Sequence, residues 1–411
     1  MTVDVVVAGG GAAGVAAAVG AARTGARVRL LERHGFLGGT AIAASVLTYC
    51  GFFDERHRPV VAGVGRQFLE YLERTGSYRT RITQESGNKV VLLDPETTKA
   101  ALDDLLLDHG VELALHTTVV GVHGPDERPA AVTTFHAGTH ETVGARAFVD
   151  CTGDGALLVA AGAPVRVEPP ERRQASTLVL RFGGVAPDAD LSTAALRQAV
   201  TDYRGCHDVE LPRDHGSVVR LPVSGEVMVL TVDQHEDVLT VEGRTRAEIA
   251  GRRLAAHYLR AVRAIPGWRD CFLAATGPEI GVRETRHLVG REQLTGADAA
   301  AGRRRPDEVV ARGGWPMEDH AVPGATSYGR IRDGGWYDIP LGSLRSRDRA
   351  NVWAAGRLVD ADPAAFSSVR VMGTAFATGH AAGVAAALQA AGEPDDRRVV
   401  QEVLRAQGAL L

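Results

Sequence analysis

The fold of this chain is decided by one short stretch, a G-x-G-x-x-G motif that reads Gly9-Gly10-Gly11-Ala12-Ala13-Gly14. The run from Val3 to Ala8 before it is β-branched and interrupted only by Asp4, which indicates a buried parallel strand. The run from Ala12 to Thr24 is alanine-rich and has no proline, which indicates a helix, and Gly25 can end it. The motif therefore lies at the turn between a predicted strand and a predicted helix.

This turn is predicted to bind the phosphates of a dinucleotide. Gly9 permits the tight turn, Gly11 lets the backbone approach a pyrophosphate, and Gly14 lets the helix pack close to the strand. The helix start at Ala12 and Ala13 presents unpaired N–H groups and the positive end of the helix dipole. Because a G-x-G-x-x-G motif alone is weak evidence, the prediction depends on this strand–turn–helix context.

A second strand supplies the acidic partner of the motif. The residues from Val28 to Leu31 are predicted to form that strand, and Glu32 stands at its end. A carboxylate at this position can accept hydrogen bonds from the ribose of an adenosine. We therefore predict a β-α-β unit of the Rossmann type that binds a dinucleotide.

The residues that follow Glu32 favour FAD over NAD. Arg33 is followed by a second glycine pair, Gly38 and Gly39, which permits another close approach of the backbone to a ligand, and Thr40 can reach phosphate. FAD proteins with an extended dinucleotide need such a segment, whereas NAD-binding folds have no general need of it. No histidine or cysteine stands out as a covalent anchor, so we predict that FAD is bound non-covalently.

Later segments are predicted to complete the same site. Two strands, at 147–151 and 352–355, are predicted to run into turns, and residues 112–122 are placed in the same domain. An alanine-rich helix from Gly373 to about Ala391 would aim its N-terminus at the flavin pyrimidine, where its dipole would stabilise the negative charge of reduced flavin. The cofactor-binding residues predicted on these segments are Val119, Thr152, Gly153, Asp154, Gly356, Arg357, Gly373, Thr374 and Ala375.

Several stretches of the chain together resemble one known family. They are residues 9–14 with Glu32, 37–40, 149–155, 283–290, 337–341 and 355–373. The chain resembles bacterial FAD-dependent oxidoreductases of the glutathione-reductase structural type, near the fumarate reductase flavoproteins. This resemblance implies an FAD-binding fold, but the reaction has to be argued from the site, because one fold hosts many functions.

We predict an α/β fold in two domains. The Rossmann-type FAD-binding domain would be assembled from three discontinuous segments, 1–45, 92–162 and 345–411. The remaining residues, 46–91 and 163–344, would form an α+β substrate domain. In it, β-rich runs at 176–182 and 227–232 predict an antiparallel sheet, and apolar residues near a 3.6 period predict a helix at 245–265.

The composition argues against several classes of function. The chain has 411 residues, 45% of them apolar, and a formal net charge of −4, so neither nucleic acid nor an acidic membrane surface is indicated as a partner. The four cysteines have no metal-like spacing, and no apolar run reaches the roughly 18 residues that a membrane helix needs. We predict a cytoplasmic protein with no metal, no membrane partner and no nucleic-acid partner.

The sequence has one dinucleotide motif and not two. Disulfide reductases of the resembled type have a second such motif for NAD(P)H and a C-x4-C pair beside the flavin, and Cys50 has no partner cysteine nearby. A disulfide reductase is therefore not expected. The electron donor or acceptor stays open among oxygen, NAD(P)H and another protein.

Arg370 is the first of five predicted catalytic residues. It precedes the last helix, where a guanidinium can clamp a substrate carboxylate or stabilise anionic flavin. The alternative is that Arg370 is paired structurally with Asp360 or Asp362. Tyr49 and Tyr337 are weaker candidates, because either can equally be a packing residue.

The other two predicted catalytic residues, Arg283 and His287, belong to a dense charged cluster at 283–287. The resemblance implies that this segment lies near the flavin, and a histidine can act as a general base because it titrates near neutral pH. The alternative is a salt-bridged strand between domains. The strand that begins near Thr177 is expected to line the pocket with one of its faces, and the sequence does not show which.

Three functions are compatible with these residues. The leading one is an FAD-dependent dehydrogenase or oxidase, which transfers a hydride between a small organic substrate and flavin N5. The second is an FAD-dependent monooxygenase that uses NAD(P)H and oxygen. The third is a protein that holds FAD without redox chemistry, against which the arginines at 283 and 370 argue mildly.

Overall fold

The computed structural model describes residues 2–84, 86–394 and 396–411. Its strands are β1 (Thr2–Ala8), β2 (Val28–Leu31), β3 (Thr48–Tyr49), β4 (Arg79–Ile82), β5 (Lys89–Leu92), β6 (Glu112–Ala114), β7 (Thr118–His123), β8 (Ala131–His136), β9 (Thr139–Asp150), β10 (Val165–Val167), β11 (Ser176–Gly183), β12 (Val218–Arg220), β13 (Val227–Gln234), β14 (Phe272–Thr276), β15 (Arg286–Leu288), β16 (Val309–Gly313), β17 (Met317–Asp319), β18 (Ser327–Gly329), β19 (Tyr337–Pro340) and β20 (Val352–Ala354).

The helices alternate with these strands. They are α1 (Ala12–Arg23), α2 (Thr40–Ala43), α3 (Val64–Arg74), α4 (Pro95–Leu107), α5 (Ala156–Ala160), α6 (Thr193–Cys206), α7 (Val241–Val262), α8 (Gly296–Ala301), α9 (Pro363–Val369), α10 (Met372–Ala391) and α11 (Arg397–Ala406). Short 3-10 turns lie at Pro170–Arg172, Arg332–Gly334, Leu341–Leu344 and Gly356–Leu358.

The largest sheet is mixed. Strands β6, β2, β1, β9 and β20 are parallel in that order, and β8 and β7 extend the sheet in antiparallel fashion beside β9. This arrangement is possible because β9 is long: its last residues pair with β1 and its first residues pair with β8. The carboxyl ends of the parallel strands therefore share one edge, where α/β proteins bind their ligands.

Residues 112–122, which the sequence places in the FAD-binding domain without dividing them, belong to two strands in the structure. β6 is parallel and pairs with β2, whereas β7 is antiparallel and pairs with β8. Between them the chain turns at His116, whose φ is +53°, and the Thr117 N–H donates to the Glu32 carbonyl at 2.8 Å. Hydrophobic pattern does not encode pairing direction, which is why the sequence did not separate the two strands.

Helices α1 and α10 pack against each other at very short range. A Cβ atom at Gly379 would lie 2.1 Å from the Ala13 carbonyl oxygen, and one at Gly383 would lie 2.0 Å from the Ala17 carbonyl oxygen. Only glycine permits this separation of the two backbones. The first and the last parts of the sequence are thereby held together under the parallel sheet.

A four-stranded antiparallel sheet, in the order β12-β13-β11-β14, is formed by strands between Ser176 and Thr276, as predicted. Helices α6 and α7 pack on it around a separate apolar cluster that contains Phe182, Tyr258 and Trp268. The helix predicted at 245–265 is α7 and begins four residues earlier, at Val241. The architecture is mixed α/β, and the boundaries of the two domains stay a prediction.

Within the described ranges, no single helix is both long and apolar enough to cross a bilayer. Helices α9 and α10 meet the length and composition criteria only as a pair, and they are bent by 95° relative to each other. The residues of α10 are largely buried against the protein's own elements, above all α1.

Candidate functional site

One cavity, of about 390 Å³, extends from the glycine turn to a group of charged side chains between the two sheets. The predicted cofactor residues that line it are Gly9, Gly11, Ala12, Ala13, Glu32, Arg33, Gly38, Gly39, Thr40, Val119, Thr152, Gly153, Asp154, Gly356, Arg357 and Ala375. These residues come from regions far apart in sequence and meet at the carboxyl edge of the parallel strands, which supports an extended ligand.

Three predicted cofactor residues do not line the cavity, because each is used in packing. A Cβ atom at Gly14 would lie 1.7 Å from the Gly9 carbonyl oxygen, so Gly14 permits α1 to approach the turn. Gly373 lets the backbone of Cys50 approach α10, and its N–H donates to the Cys50 carbonyl at 2.7 Å. Thr374 is fully buried beside this contact. Their role in cofactor binding is therefore indirect.

Glu32 is held in place for a ligand at the adenosine end. Its side chain is buried, and its two carboxylate oxygens accept hydrogen bonds from the Gly10 N–H at 2.6 Å and the His34 N–H at 2.8 Å. Each oxygen retains a lone pair, since a carboxylate has about four acceptor positions. The carboxylate is thus oriented before any ribose hydroxyl arrives.

Replacing Glu32 by glutamine is expected to weaken FAD binding by about 30-fold, or about 2 kcal/mol. The amide keeps one acceptor but turns an NH₂ group toward a backbone N–H, so one oriented hydrogen bond is lost. Titration of the apoprotein with FAD, followed by flavin fluorescence, measures the effect. Glu402→Gln, on the exposed side of α11, is the matched control, and equal FAD affinities of the two variants would contradict the role of Glu32.

Arginine side chains concentrate at the middle of the cavity around Asp154. Arg244 donates to Asp154 at 3.0 Å, and Arg357 lies 3.5 Å from the same carboxylate. Burial disfavours the charged form of Asp154, but the charges of Arg357 and Arg244 outweigh it and lower the pKa of this carboxyl. Asp154 is therefore ionised and fixes both guanidinium groups.

Arg357 has capacity for a phosphate. Its Nη1 donates to the Thr40 hydroxyl at 2.7 Å, and its buried Nε has no hydrogen-bond partner within the described residues. Arg33, which is paired with Glu279, lies on the same wall. Together with the glycine turn, these donors fit the pyrophosphate of a dinucleotide.

The N-terminus of α10 opens on the other half of the cavity. The helix begins at Met372, one residue before the predicted start, and its N-cap residue Val371 makes no side-chain hydrogen bond to the helix. Val371, Met372 and Ala375 all line the cavity. The positive end of the helix dipole therefore faces this space.

Arg370 stands immediately before this helix and lines the cavity. Its Nη2 donates to the backbone carbonyl of Glu318 at 3.0 Å, and its buried Nε has no partner in the described part of the chain. The predicted alternative, an ion pair with Asp360 or Asp362, is absent from the described residues: Asp360 pairs with Arg166, and Asp362 caps α9. Burial and the charge of Arg283 lower the pKa of Arg370 to about 10, so it is a cation at neutral pH.

Glu318 and His320 form a coupled pair beside Arg370. Their nearest atoms, Oε1 of Glu318 and Nε2 of His320, are 3.2 Å apart, and Trp315 Nε1 donates to the other carboxylate oxygen at 2.9 Å. Burial opposes ionisation of Glu318, but the hydrogen bond from His320 and the charge of Arg370 hold its pKa well below the usual range. Burial and the charge of Arg283 lower the pKa of His320 to about 4. At neutral pH the carboxylate is ionised and the imidazole is neutral.

Arg283 lines the same end of the cavity, as predicted for a substrate-facing residue. It donates to the Ala175 carbonyl and the Thr177 hydroxyl and lies 3.6 Å from Asp233. Arg213, in the loop between α6 and β12, donates to the other Asp233 oxygen at 2.9 Å. Two arginines thus share one carboxylate, and Thr177 shows which residue of β11 faces the cavity.

The other three predicted catalytic residues do not face the cavity. Tyr49 lies on β3 between Thr48 and Cys50, which do line it, so strand alternation turns Tyr49 away toward Phe68 and Phe376. The sequence prediction followed proximity to the glycine-rich segment, which carries no information about side-chain direction.

Tyr337 and His287 are each bonded inside the fold. The Tyr337 hydroxyl is 2.8 Å from the Ser368 hydroxyl, and burial raises the pKa of the tyrosine. His287 Nε2 is 2.9 Å from Glu284 Oε1, and the ring packs edge-on against Phe366. The structural alternative for the segment at 283–287 therefore describes His287, whereas Arg283 both pairs with Asp233 and lines the cavity.

The sequence prediction missed Arg213, Glu318 and His320 on the cavity wall, and Asp233, which binds two of the arginines. Glu318 and His320 are two residues apart in an extended segment, which places both side chains on one face, and this spacing was an available signal. Arg213 lies between elements, and nothing in its local sequence distinguishes it.

Comparison with known proteins gives a family and a fold. A family model described as FAD dependent oxidoreductase matches residues 4–407. No curated protein sequence matches the chain.

Solved structures resemble the chain over nearly its whole length. The flavin-dependent brominase Bmp2 is 13% identical, with 99% of this chain and 83% of that one covered and a TM-score of 0.50. A geranylgeranyl bacteriochlorophyll reductase-like protein from Thermoplasma acidophilum is 13% identical, with 99% and 84% covered and a TM-score of 0.51. CabE, an aromatic hydroxylase from angucycline biosynthesis, is 14% identical, with 99% and 68% covered and a TM-score of 0.50. These likenesses concern the fold, and the expected link to glutathione reductase and the fumarate reductases stays a prediction.

Proposed function

From the premise that this chain belongs to the family of FAD-dependent oxidoreductases, we propose that it transfers a hydride between a small organic substrate and flavin N5, as a dehydrogenase or an oxidase. The observation that carries this proposal is that one cavity contains both the glycine turn and a charged group of side chains beyond it. The turn suits the dinucleotide, and the charged group suits a polar substrate.

We assign the parts of the cofactor in order along the cavity, starting from the glycine turn. The parallel sheet with its glycine turn is then a Rossmann-type domain, with Glu32 and Val119 at the adenosine, and Thr40 and Arg357 at the pyrophosphate. The N-terminus of α10 stands where it would stabilise negative charge on the flavin pyrimidine. Bound FAD supplies the acceptor or donor of the hydride.

The protein's own residues then bind and orient the substrate. Arg370 and Arg283 both line this end of the cavity, and each is fixed by hydrogen bonds to backbone or side chain. Glu318 positions Arg370 through its carbonyl, while His320 and Trp315 hold the Glu318 carboxylate. Such fixed charges orient a polar substrate without reorganising during the reaction.

A monooxygenase that uses NAD(P)H and oxygen is the second candidate. A brominase and an aromatic hydroxylase are among the proteins of similar fold, and these activities are closer to this candidate than to a hydride-transfer dehydrogenase. The charged lining around Arg370 is better suited to a polar substrate than to an apolar aromatic one. We therefore place the dehydrogenase or oxidase first, in the cytoplasm, with the electron partner still to be identified.

The test is anaerobic mixing of the holoprotein with panels of alcohols, amines, hydroxy acids and amino acids. We expect one class to bleach the visible absorbance of the flavin, and Arg370→Gln to slow this reaction by about 100-fold while FAD stays bound. Arg269→Gln, at an exposed arginine, is the control and should react like the wild type. Bleaching by NAD(P)H alone, with oxygen uptake coupled to substrate hydroxylation, would instead establish the monooxygenase.

A further inference from the structure

We propose that the substrate is a monocarboxylate with an apolar body, and that its carboxylate binds to Arg370. This inference rests on the proposed function, in which the end of the cavity at Arg370 receives the substrate. It adds the chemical class of the substrate, which neither the family nor the similar folds specify.

Arg370 has the free donors that a carboxylate needs. The hydrogen bond from Nη2 to the Glu318 carbonyl is the one it makes within the described ranges, and its buried Nε is unpaired on the cavity wall. A guanidinium presents its N–H groups in a planar fork that matches the two oxygens of a carboxylate. An incoming carboxylate gains this interaction without first breaking an ion pair.

Arg370 differs from the two other arginines at this end of the cavity, because it has no ion pair among the described residues. Arg213 and Arg283 share Asp233, at 2.9 and 3.6 Å. The carboxylates of Glu318 and Glu284 act on Arg370 only through their longer-range charge. One carboxylate can therefore bind to the Arg370 guanidinium without displacing an ion-pair partner, whereas a second one would meet the charge of Glu318.

Apolar side chains also line the cavity. They include Val90 on β5, Val219 on β12 and Leu230 on β13. A substrate that was charged along its whole length would lose its hydration against these residues. A substrate with one carboxylate and a hydrocarbon or aromatic body fits both parts of the cavity. Its carboxylate binds to Arg370, and its body packs against the valine and leucine side chains.

Benzoate and benzamide are matched probes for this inference, because they differ mainly in charge. Titrated into the holoprotein, benzoate is expected to perturb the flavin absorbance and to bind at least about 30-fold more tightly than benzamide. Phthalate, with a second carboxylate, is expected to bind more weakly than benzoate. Arg370→Gln should abolish the preference for benzoate, Arg370→Lys should retain part of it, and Arg269→Gln should retain all of it.

The inference is overturned if benzoate does not bind, if benzamide binds as tightly, or if phthalate binds more tightly than benzoate. If Arg370→Gln does not hold FAD, the preference for benzoate can still be compared between the wild type and Arg370→Lys, and this comparison decides the role of the planar guanidinium. Ligand binding requires no turnover. If benzoate binds but every anaerobic reduction fails, the proposed function alone is rejected. If substrates without a carboxylate reduce the flavin, this inference alone is rejected.

Discussion

The variant Gly14→Ala is expected to be purified without flavin and to be at least about 3 kcal/mol less stable than the wild type. The added Cβ atom would lie 1.7 Å from the carbonyl oxygen of Gly9, and both positions belong to the backbone. Neither atom can move aside as a flexible side chain would. The first turn of α1 must therefore leave the glycine turn, and its N–H groups no longer meet the pyrophosphate.

Gly205→Ala is the matched control for this prediction. Gly205 is also a helical glycine, in the last turn of α6, but a Cβ atom there would have no neighbour within 4 Å. Alanine at this exposed position is expected to leave FAD binding unchanged and to stabilise the helix by up to about 1 kcal/mol. The ratio of visible to protein absorbance and the thermal midpoint measure both effects. A Gly14→Ala protein with full flavin content would show that α1 can be displaced without loss of the site.

The second large effect expected is a loss of stability below pH 6.5 that originates from two buried histidines. Burial lowers the pKa of both His320 and His380 to about 4, from 6.5 in the unfolded chain. Above pH 6.5 each is neutral in both states and contributes nothing to the pH dependence. Between pH 6.5 and about 4 the unfolded chain takes up a proton that the folded chain does not, so stability falls as pH falls. Each histidine costs about 1.4 kcal/mol per pH unit over this window.

Urea denaturation of the holoprotein at pH 7 and pH 5, followed by circular dichroism, tests this expectation. His380→Gln can keep a hydrogen bond to Gln407, the residue that His380 contacts at 2.7 Å, and cannot be protonated. The loss of stability on acidification should be about 2 kcal/mol smaller in this variant than in the wild type. His140→Gln, at an exposed position near the start of β9, is the control. An unchanged pH dependence in His380→Gln would mean that this histidine is protonated in the folded protein.

The sequence was sufficient for the parts of the fold that are determined locally. The strand at 28–31 and the helix end at Ala391 lie where they were predicted, because β-branched and alanine-rich runs bounded by glycine indicate their own structure. The division of residues 112–122 into β6 and β7 was missed, since it depends on which neighbour each strand finds. Pairing of strands is a property of the whole sheet and not of the segment.

The same distinction separates the two halves of the candidate site. The cofactor half consists of turns and helix starts whose geometry demands glycine, so Gly9, Gly11 and Gly39 could be assigned from sequence. The substrate half consists of long side chains that reach the cavity from unrelated elements. Glu318 and Arg213 meet there only after the predicted substrate domain has folded. Tyr49 was misassigned because its neighbours, not its own side chain, face the cavity.

The close contact between α1 and α10 also governs when the protein can acquire its cofactor during synthesis. The glycine turn leaves the ribosome before the backbone at Gly379 and Gly383 that packs against α1. A nascent chain can form β1 and α1 early, since domains tend to fold from the N-terminus onward. It cannot close the site until α10 has emerged. Flavin loading is therefore expected to wait for α10, and a chain that stops before this helix should remain colourless.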